Sequence, residues 1–329
     1  MTTQASTLQR TRLTHQPGEP DADDFGTSLP DRVRLYWQAL RPPFFMASTM
    51  PIIVGTAWGA TQSGSLNLGA AVLAVLCMVL GHGAGNLFND IHDDMTGNDA
   101  ANIDRIYPFT GGSRFIQNGV MSRDTMWSYA LVLLGLTTVP GLILLIGHGW
   151  GIVGFGAALA GLMVLHHLPP IKLSYRGFAE TIIALTFGVI PVAMAAWLQG
   201  APVSILTLLV SVPVAMWVAN VLLINEIPDR DADARTNKKT FVVLFGVERA
   251  RALHKAANAT AFIACLLLVA LSALSVWGLI GAAVLFGLGL RSGNLIDTGD
   301  REHMTAGIRI TLGVHALGCL WLTGWIALS

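Results

Sequence analysis

Residues 68–99 read "LGAAVLAVLCMVLGHGAGNLFNDIHDDMTGND". The first twenty, Leu68 to Leu87, form an apolar run of the length that crosses a bilayer. The run ends by placing five aspartates or asparagines within Asn86–Asp94. On a helix, Asn86, Asp90 and Asp93 or Asp94 share one face, because residues four and seven or eight apart lie above one another. A membrane span thus finishes in a stripe of carboxylates, and the rest of the chain has to explain why.

Composition agrees with membrane burial. Of 329 residues, 53% are hydrophobic and 12% charged, about half the charged share of a soluble domain. Apolar runs recur near 44–62, 68–91, 124–147, 150–168, 178–198, 203–226, 256–274, 276–291 and 306–327. They are continuous rather than alternating, so helices are predicted and a strand barrel is not. The expected fold is an all-α integral membrane protein of nine spans around a central cavity open to the cytoplasmic side. The eighth run is short and close to the seventh, which leaves eight spans as the alternative count. Residues 1–30 are polar and read as a disordered tail rather than a signal peptide, ahead of one transmembrane domain, residues 31–329. Cys77, Cys265 and Cys319 fall inside spans as small packing residues, with no metal or disulfide spacing.

Charge placement sets the orientation. With nine spans, all twenty Lys and Arg fall on the side of the N-terminus, and the turns on the other side, such as "TQSGSLN" and "GHGWG", carry none. The positive-inside rule makes the charged side cytoplasmic, with the C-terminus outside the cell's inner (plasma) membrane. The twenty Asp and Glu lie on that same side, for which the rule gives no reason. Segment 31–43, "DRVRLYWQALRPP", mixes Arg with Trp and Tyr and is expected along the interface.

Span six ends in "NEIPDRDADARTNKKT", where Asn225, Asp229 and Asp233 are again four residues apart. Each acidic stripe sits at the C-terminal end of a helix, where the dipole opposes negative charge by up to ~1 kcal/mol. Two facing stripes repel unless a cation lies between them. Oxygen donors with open positions suit Mg²⁺, which takes few protein ligands and completes its shell from phosphate and water. A calcium loop at Asp229–Thr240 fails, because Ala234 replaces the turn glycine and Thr240 the final glutamate. A transporter would need polar groups and broken helices at mid-membrane, and the spans show no buried charge at that depth. Pro228 is expected to end or kink span six before Asp229.

These residues resemble the UbiA superfamily of intramembrane aromatic prenyltransferases, in which aspartate-rich motifs on the second and sixth of nine helices hold Mg²⁺ and a prenyl diphosphate. "NLFNDIHDDMTGND" looks like the first motif and "NEIPDRDADARTNKKT" like the second, and the likeness spans roughly residues 33–327. "WQALRPPFFMASTMPIIVGTA", "GNDAANIDRIYPFTGGSRFIQNGVMS" and "LPPIKLSYRGFAE" are similar to the branch that makes menaquinone, the 1,4-dihydroxy-2-naphthoate polyprenyltransferases. There Asp99 stands in for the carboxylate absent at Gly97. The branch has a glycine where this chain has Thr236-Asn237.

The resemblance implies metal binding by Asp90, Asp93, Asp94, Asp229 and Asp233, with Asp90, Asp93, Asp229 and Asp233 the catalytic set. It implies substrate contacts from Asn86, Asn225, Asp99, Arg114, Lys172, Tyr175 and Arg176. Lys238, Lys239 and Arg105 are either site cations or ordinary cytoplasmic charge. His92, His166 and His167 are base candidates, and Glu180 and Glu226 acceptor-orienting candidates. The implied partners are a polyprenyl diphosphate, an aromatic acceptor and the bilayer, with no nucleic acid. The acceptor is expected to be dihydroxynaphthoate, with hydroxybenzoate, homogentisate, a chlorophyllide or a lipid as alternatives.

Overall fold

The computed structural model describes residues 15–167, 170–296 and 299–329. Among the described residues, an amphipathic helix, Leu29–Ala39, leads into nine apolar helices. They are α1 (Met46–Ser63), α2 (Leu68–Met95), α3 (Arg123–His148), α4 (Gly151–His167) and α5 (Ala179–Leu198). The remainder are α6 (Ile205–Arg235), α7 (Val247–Ala270), α8 (Leu279–Asn294) and α9 (Arg301–Ala327). Among the described residues, eight are long and apolar enough to cross a membrane. The short one is α4, with 17 residues, rather than the eighth run. A 3₁₀ turn at Val276–Gly278 extends α8 to a 19-residue span.

Local chemistry sets the ends of these helices. Gly64, at φ 71°, closes α1 in the left-handed conformation, and the Asn67 side chain then accepts from the Ala70 amide to start α2. Ser122 and Ser204 cap α3 and α6 the same way. Both acidic stripes, Asn86–Asp94 and Asn225–Asp233, are helical. Helix α2 runs one turn beyond its apolar stretch, to Met95. Helix α6 does not end at Pro228 but continues to Arg235. Its register therefore holds from Asn225 to Asp233, and Asp231 is turned outward and exposed.

Sequential helices pack as neighbours, and α9 returns against α1 to close the bundle. Close approach relies on small residues. A Cβ at Gly55 would lie 2.3 Å from the Val192 carbonyl oxygen, and one at Gly188 would lie 2.4 Å from Ala215 Cα. A core of Trp58, Val192, Trp217, Cys265, Leu285 and Leu322 ties α1, α5 and α6 to α7, α8 and α9. Ahead of the membrane domain, the chain departs from the disorder expected of its composition. Residues 15–28 pack on the loop between α2 and α3, through Asn118 Nδ2 donating to Pro20 O at 2.8 Å and the Phe25 ring against Phe115. Residues 1–14 lie outside the described residues.

Candidate functional site: an acidic mouth on an apolar chamber

A chamber of about 820 Å³ is lined by α1–α6 and the α2–α3 loop. Among the described residues, α7–α9 contribute nothing to its wall and brace α1 and α6 from behind. Its deep part is apolar, from Met78 and Cys77 of α2 to Leu144 of α3, Ile152 of α4 and Met194 of α5. Its mouth carries Asn86, Asp93, Asp99, Asn225, Asp229 and Asp233.

The two motifs face each other there, and each carboxylate has a named partner. Asp90 is buried and accepts from the Ser113 amide at 3.1 Å. Asp93 accepts from Asn89 Nδ2 at 3.1 Å and from Lys238 Nζ at 3.2 Å. Lys238 Nζ is also 3.7 Å from Asp233 Oδ1, so this ammonium bridges the motifs. Asp233 accepts from Asn98 Nδ2 at 2.8 Å, and Asp229 from Asn102 Nδ2 at 2.7 Å. The α2–α3 loop is therefore a roof whose amides hold the second motif. Gly112 allows that roof to close: a Cβ there would meet Asp90 Oδ1 at 3.0 Å and both Asp99 oxygens at 3.2 Å.

Burial pushes the Asp99 carboxyl well above the usual carboxylate range, and the Asp93 and Asp90 charges add to it. Arg114 Nη1 lies 4.0 Å from Asp99 Oδ1 and donates to the Asp99 carbonyl at 2.6 Å. Burial alone would lower the Lys238 ammonium. The Asp93 and Asp233 carboxylates outweigh it and hold that group well above the ordinary lysine value.

Other expected residues lie further out. Asp94 is at the outer edge, paired with Arg123 Nε at 2.8 Å, and does not line the chamber. Lys172 stacks its Nζ 4.9 Å from the Tyr175 ring, and exposed Arg176 donates to Pro170 O at 2.9 Å; neither lines the chamber. Tyr175 bonds His92 Nδ1 at 3.2 Å, beside Asp93, and burial raises its phenol above the usual value. His166 lines the chamber, whereas the side chain of His167 lies outside the described residues. Asn86 lines the mouth and donates to the Leu40 carbonyl at 2.9 Å. Glu226 lines the chamber next to Asn225, and Glu226 Oε2, Glu180 Oε1 and Asn225 Oδ1 are buried without a hydrogen-bond partner.

Sequence reasoning missed two mouth residues, Arg41 and Asn98, and the roof residue Asn102. Arg41 was counted only as cytoplasmic charge, but it lines the mouth, its guanidinium 4.7 Å from the Phe44 ring. Asn98 and Asn102 flank Asp99 four residues apart, a spacing that marks one helical face and was the available signal. Asn237 explains the missing glycine of the second motif. It sits at φ 58°, a conformation that asparagine tolerates better than other non-glycine residues.

Residues 48–312 match the UbiA prenyltransferase family model. The chain is 27% identical over 246 residues to "1,4-dihydroxy-2-naphthoate octaprenyltransferase" of Bacillus subtilis (strain 168), covering 74% of this chain and 76% of that one. It is 27% identical over 223 residues to "UbiA prenyltransferase domain-containing protein 1" of Danio rerio, covering 66% and 63%. A UbiA homolog from Archaeoglobus fulgidus, solved bound to DMAPP and Mg²⁺, superposes with a TM-score of 0.58 at 19% identity, covering 86% of this chain and 99% of that one. With its acidic mouth set on an all-helical membrane scaffold, the chain belongs to the UbiA prenyltransferase family and is an enzyme that transfers prenyl groups.

Proposed function

We propose that this protein transfers a polyprenyl group from its diphosphate to an aromatic acceptor, 1,4-dihydroxy-2-naphthoate, in menaquinone formation, with Mg²⁺ as cofactor. The observation that carries this reading is the pairing of two acidic motifs across the mouth of an apolar chamber in a membrane bundle. The identity to a naphthoate octaprenyltransferase supports the acceptor.

The residues at the mouth suit a divalent ion. Asp90 Oδ1, Asp99 Oδ2 and Asn225 Oδ1 are buried without partners. Among the described residues, no three His, Cys, Asp or Glu side chains group closely enough to hold a metal by themselves. The open oxygens of Asp90, Asp99 and Asn225 suit Mg²⁺, which takes one or two carboxylates and fills its shell from substrate phosphate and water. Asp90 and Asp93 on one side and Asp229 and Asp233 on the other are the residues that would hold it. When bound, it neutralises the charge that builds on the departing diphosphate.

The chain supplies the rest. Lys238 and Arg41, which line the chamber, place fixed positive charge around the diphosphate oxygens, with buried Arg114 behind the roof. The apolar wall from Met78 to Ile152 takes the prenyl tail and excludes water from the allylic carbon. Asn225, Glu226 and Glu180 orient the acceptor ring one turn deeper than Asp229. The mouth is then on the cytoplasmic side of the plasma membrane, with the C-terminus outside.

Membranes containing the protein, given Mg²⁺, a polyprenyl diphosphate and separately dihydroxynaphthoate, hydroxybenzoate or homogentisate, test this directly. Product with dihydroxynaphthoate is expected. Product with hydroxybenzoate alone overturns the acceptor, and no product with any overturns the reaction. Asp90→Ala and Asp229→Ala should each lower kcat at least about 100-fold, with folded protein still in the membrane.

A further inference from the structure

The segment ahead of the family-matched region, which begins at residue 48, reaches into the roof of the site. Glu19, buried, accepts from Arg105 Nε at 2.5 Å, and both side chains are fully enclosed. Arg105 Nη1 donates to the Asn102 carbonyl at 2.7 Å, and Asn102 Nδ2 donates to Asp229 Oδ1 at 2.7 Å. The Arg105 stem packs on Gly111, next to the glycine that touches Asp90 and Asp99. Gln16 adds a second tie. Its Nε2 donates to the Arg105 carbonyl at 2.6 Å, and its Oε1 accepts from the Tyr107 amide at 3.3 Å and from Arg301 Nη2 at 2.6 Å.

We infer that Glu19 is a positioning residue: through Arg105 it sets the roof loop, and with it the grip of Asn102 on Asp229 and the affinity for the Mg²⁺-diphosphate donor. A buried ion pair of this kind adds little net stability over an apolar replacement. Neutralising Glu19 removes a buried charge-assisted bond from the Arg105 guanidinium, which the loop relieves by moving. A tail needed only for folding would change yield or melting without changing donor affinity. The inference rests on the prenyl-transfer reading only for the identity of the donor.

The test uses the full chain in detergent micelles, with Glu19→Gln and, as a milder variant, Gln16→Ala. Two quantities are read: hydrogen exchange of peptides covering residues 98–114, and half-saturation by geranyl diphosphate with Mg²⁺ in a thermal-shift titration. Glu19→Gln should speed exchange in that loop about tenfold, leave α8 and α9 peptides unchanged, and raise the half-saturating donor concentration about tenfold. Gln16→Ala should move both in the same direction by about threefold. Unchanged loop exchange, or faster loop exchange with donor half-saturation within about twofold of wild type, overturns the inference. If Glu19→Gln loosens the whole bundle, the same two criteria applied to Gln16→Ala decide. Donor binding is read without turnover, so a wild type that makes no product strikes the reaction and leaves this test standing.

Discussion

Lys238 occupies the position where two acidic motifs would otherwise repel each other. Its ammonium lies 3.2 Å from Asp93 and 3.7 Å from Asp233, a tethered counter-ion for the metal-free protein. Lys238→Met should therefore destabilise the metal-free protein by about 3 kcal/mol, read by thermal melting in detergent, and added Mg²⁺ should narrow the gap. Its raised folded-state pKa fixes the pH behaviour. Protons are bound in both states below the ordinary lysine value, so the contribution is complete there and is lost only as pH rises through the higher folded value. The Lys238 contribution should not decline on the alkaline side until pH passes the ordinary lysine value; a decline between about pH 8 and about pH 9 would contradict the bridge. Sequence alone does not separate Lys238 from Lys239, because adjacent residues carry the same charge and only the turn at Asn237 decides which one points inward. Asp94 is a similar case. On a helical wheel it shares a face with Asp90, but its partner Arg123 is 29 residues away and leaves no local trace.

At the scale of elements, the spans and the two stripes were legible because a continuous apolar run and a four-residue spacing are local signals. The roof was not. Its hold on the second motif depends on Asn98 and Asn102 meeting α6, and its outer tie on a polar tail whose composition reads as disorder. Proline misled for a related reason: Pro228 removes one donor, but the helix around it is held by packing and continues. Helix contacts give a sharper test. Gly188 faces the backbone of Ala215, so Gly188→Val should destabilise the bundle by about 2 kcal/mol or more. Gly135, inside α3 with open space around it, should tolerate alanine and gain about 0.5 kcal/mol from helix propensity. Chemical denaturation of both variants in one detergent checks the contrast.

For the whole molecule, one charged face and one bare face set a testable orientation. Ser65→Cys, in the bare α1–α2 turn, should react with an impermeant maleimide on intact cells, and Arg176→Cys only after permeabilisation. The reverse pattern would invert the protein and move the acidic mouth to the outside. Helix α4 adds a consequence of its own. Its 17 described residues, Gly151–His167, rise about 25 Å, against a hydrocarbon core of about 30 Å. Its neighbour α3 has 26 residues, so the lipid annulus meets walls of unequal height at the flank of the chamber. Lipids there must thin to match, and the strain of doing so rises with acyl length. Turnover in proteoliposomes should fall as chains lengthen from about 14 to about 22 carbons, which would make bilayer thickness a regulator of this enzyme.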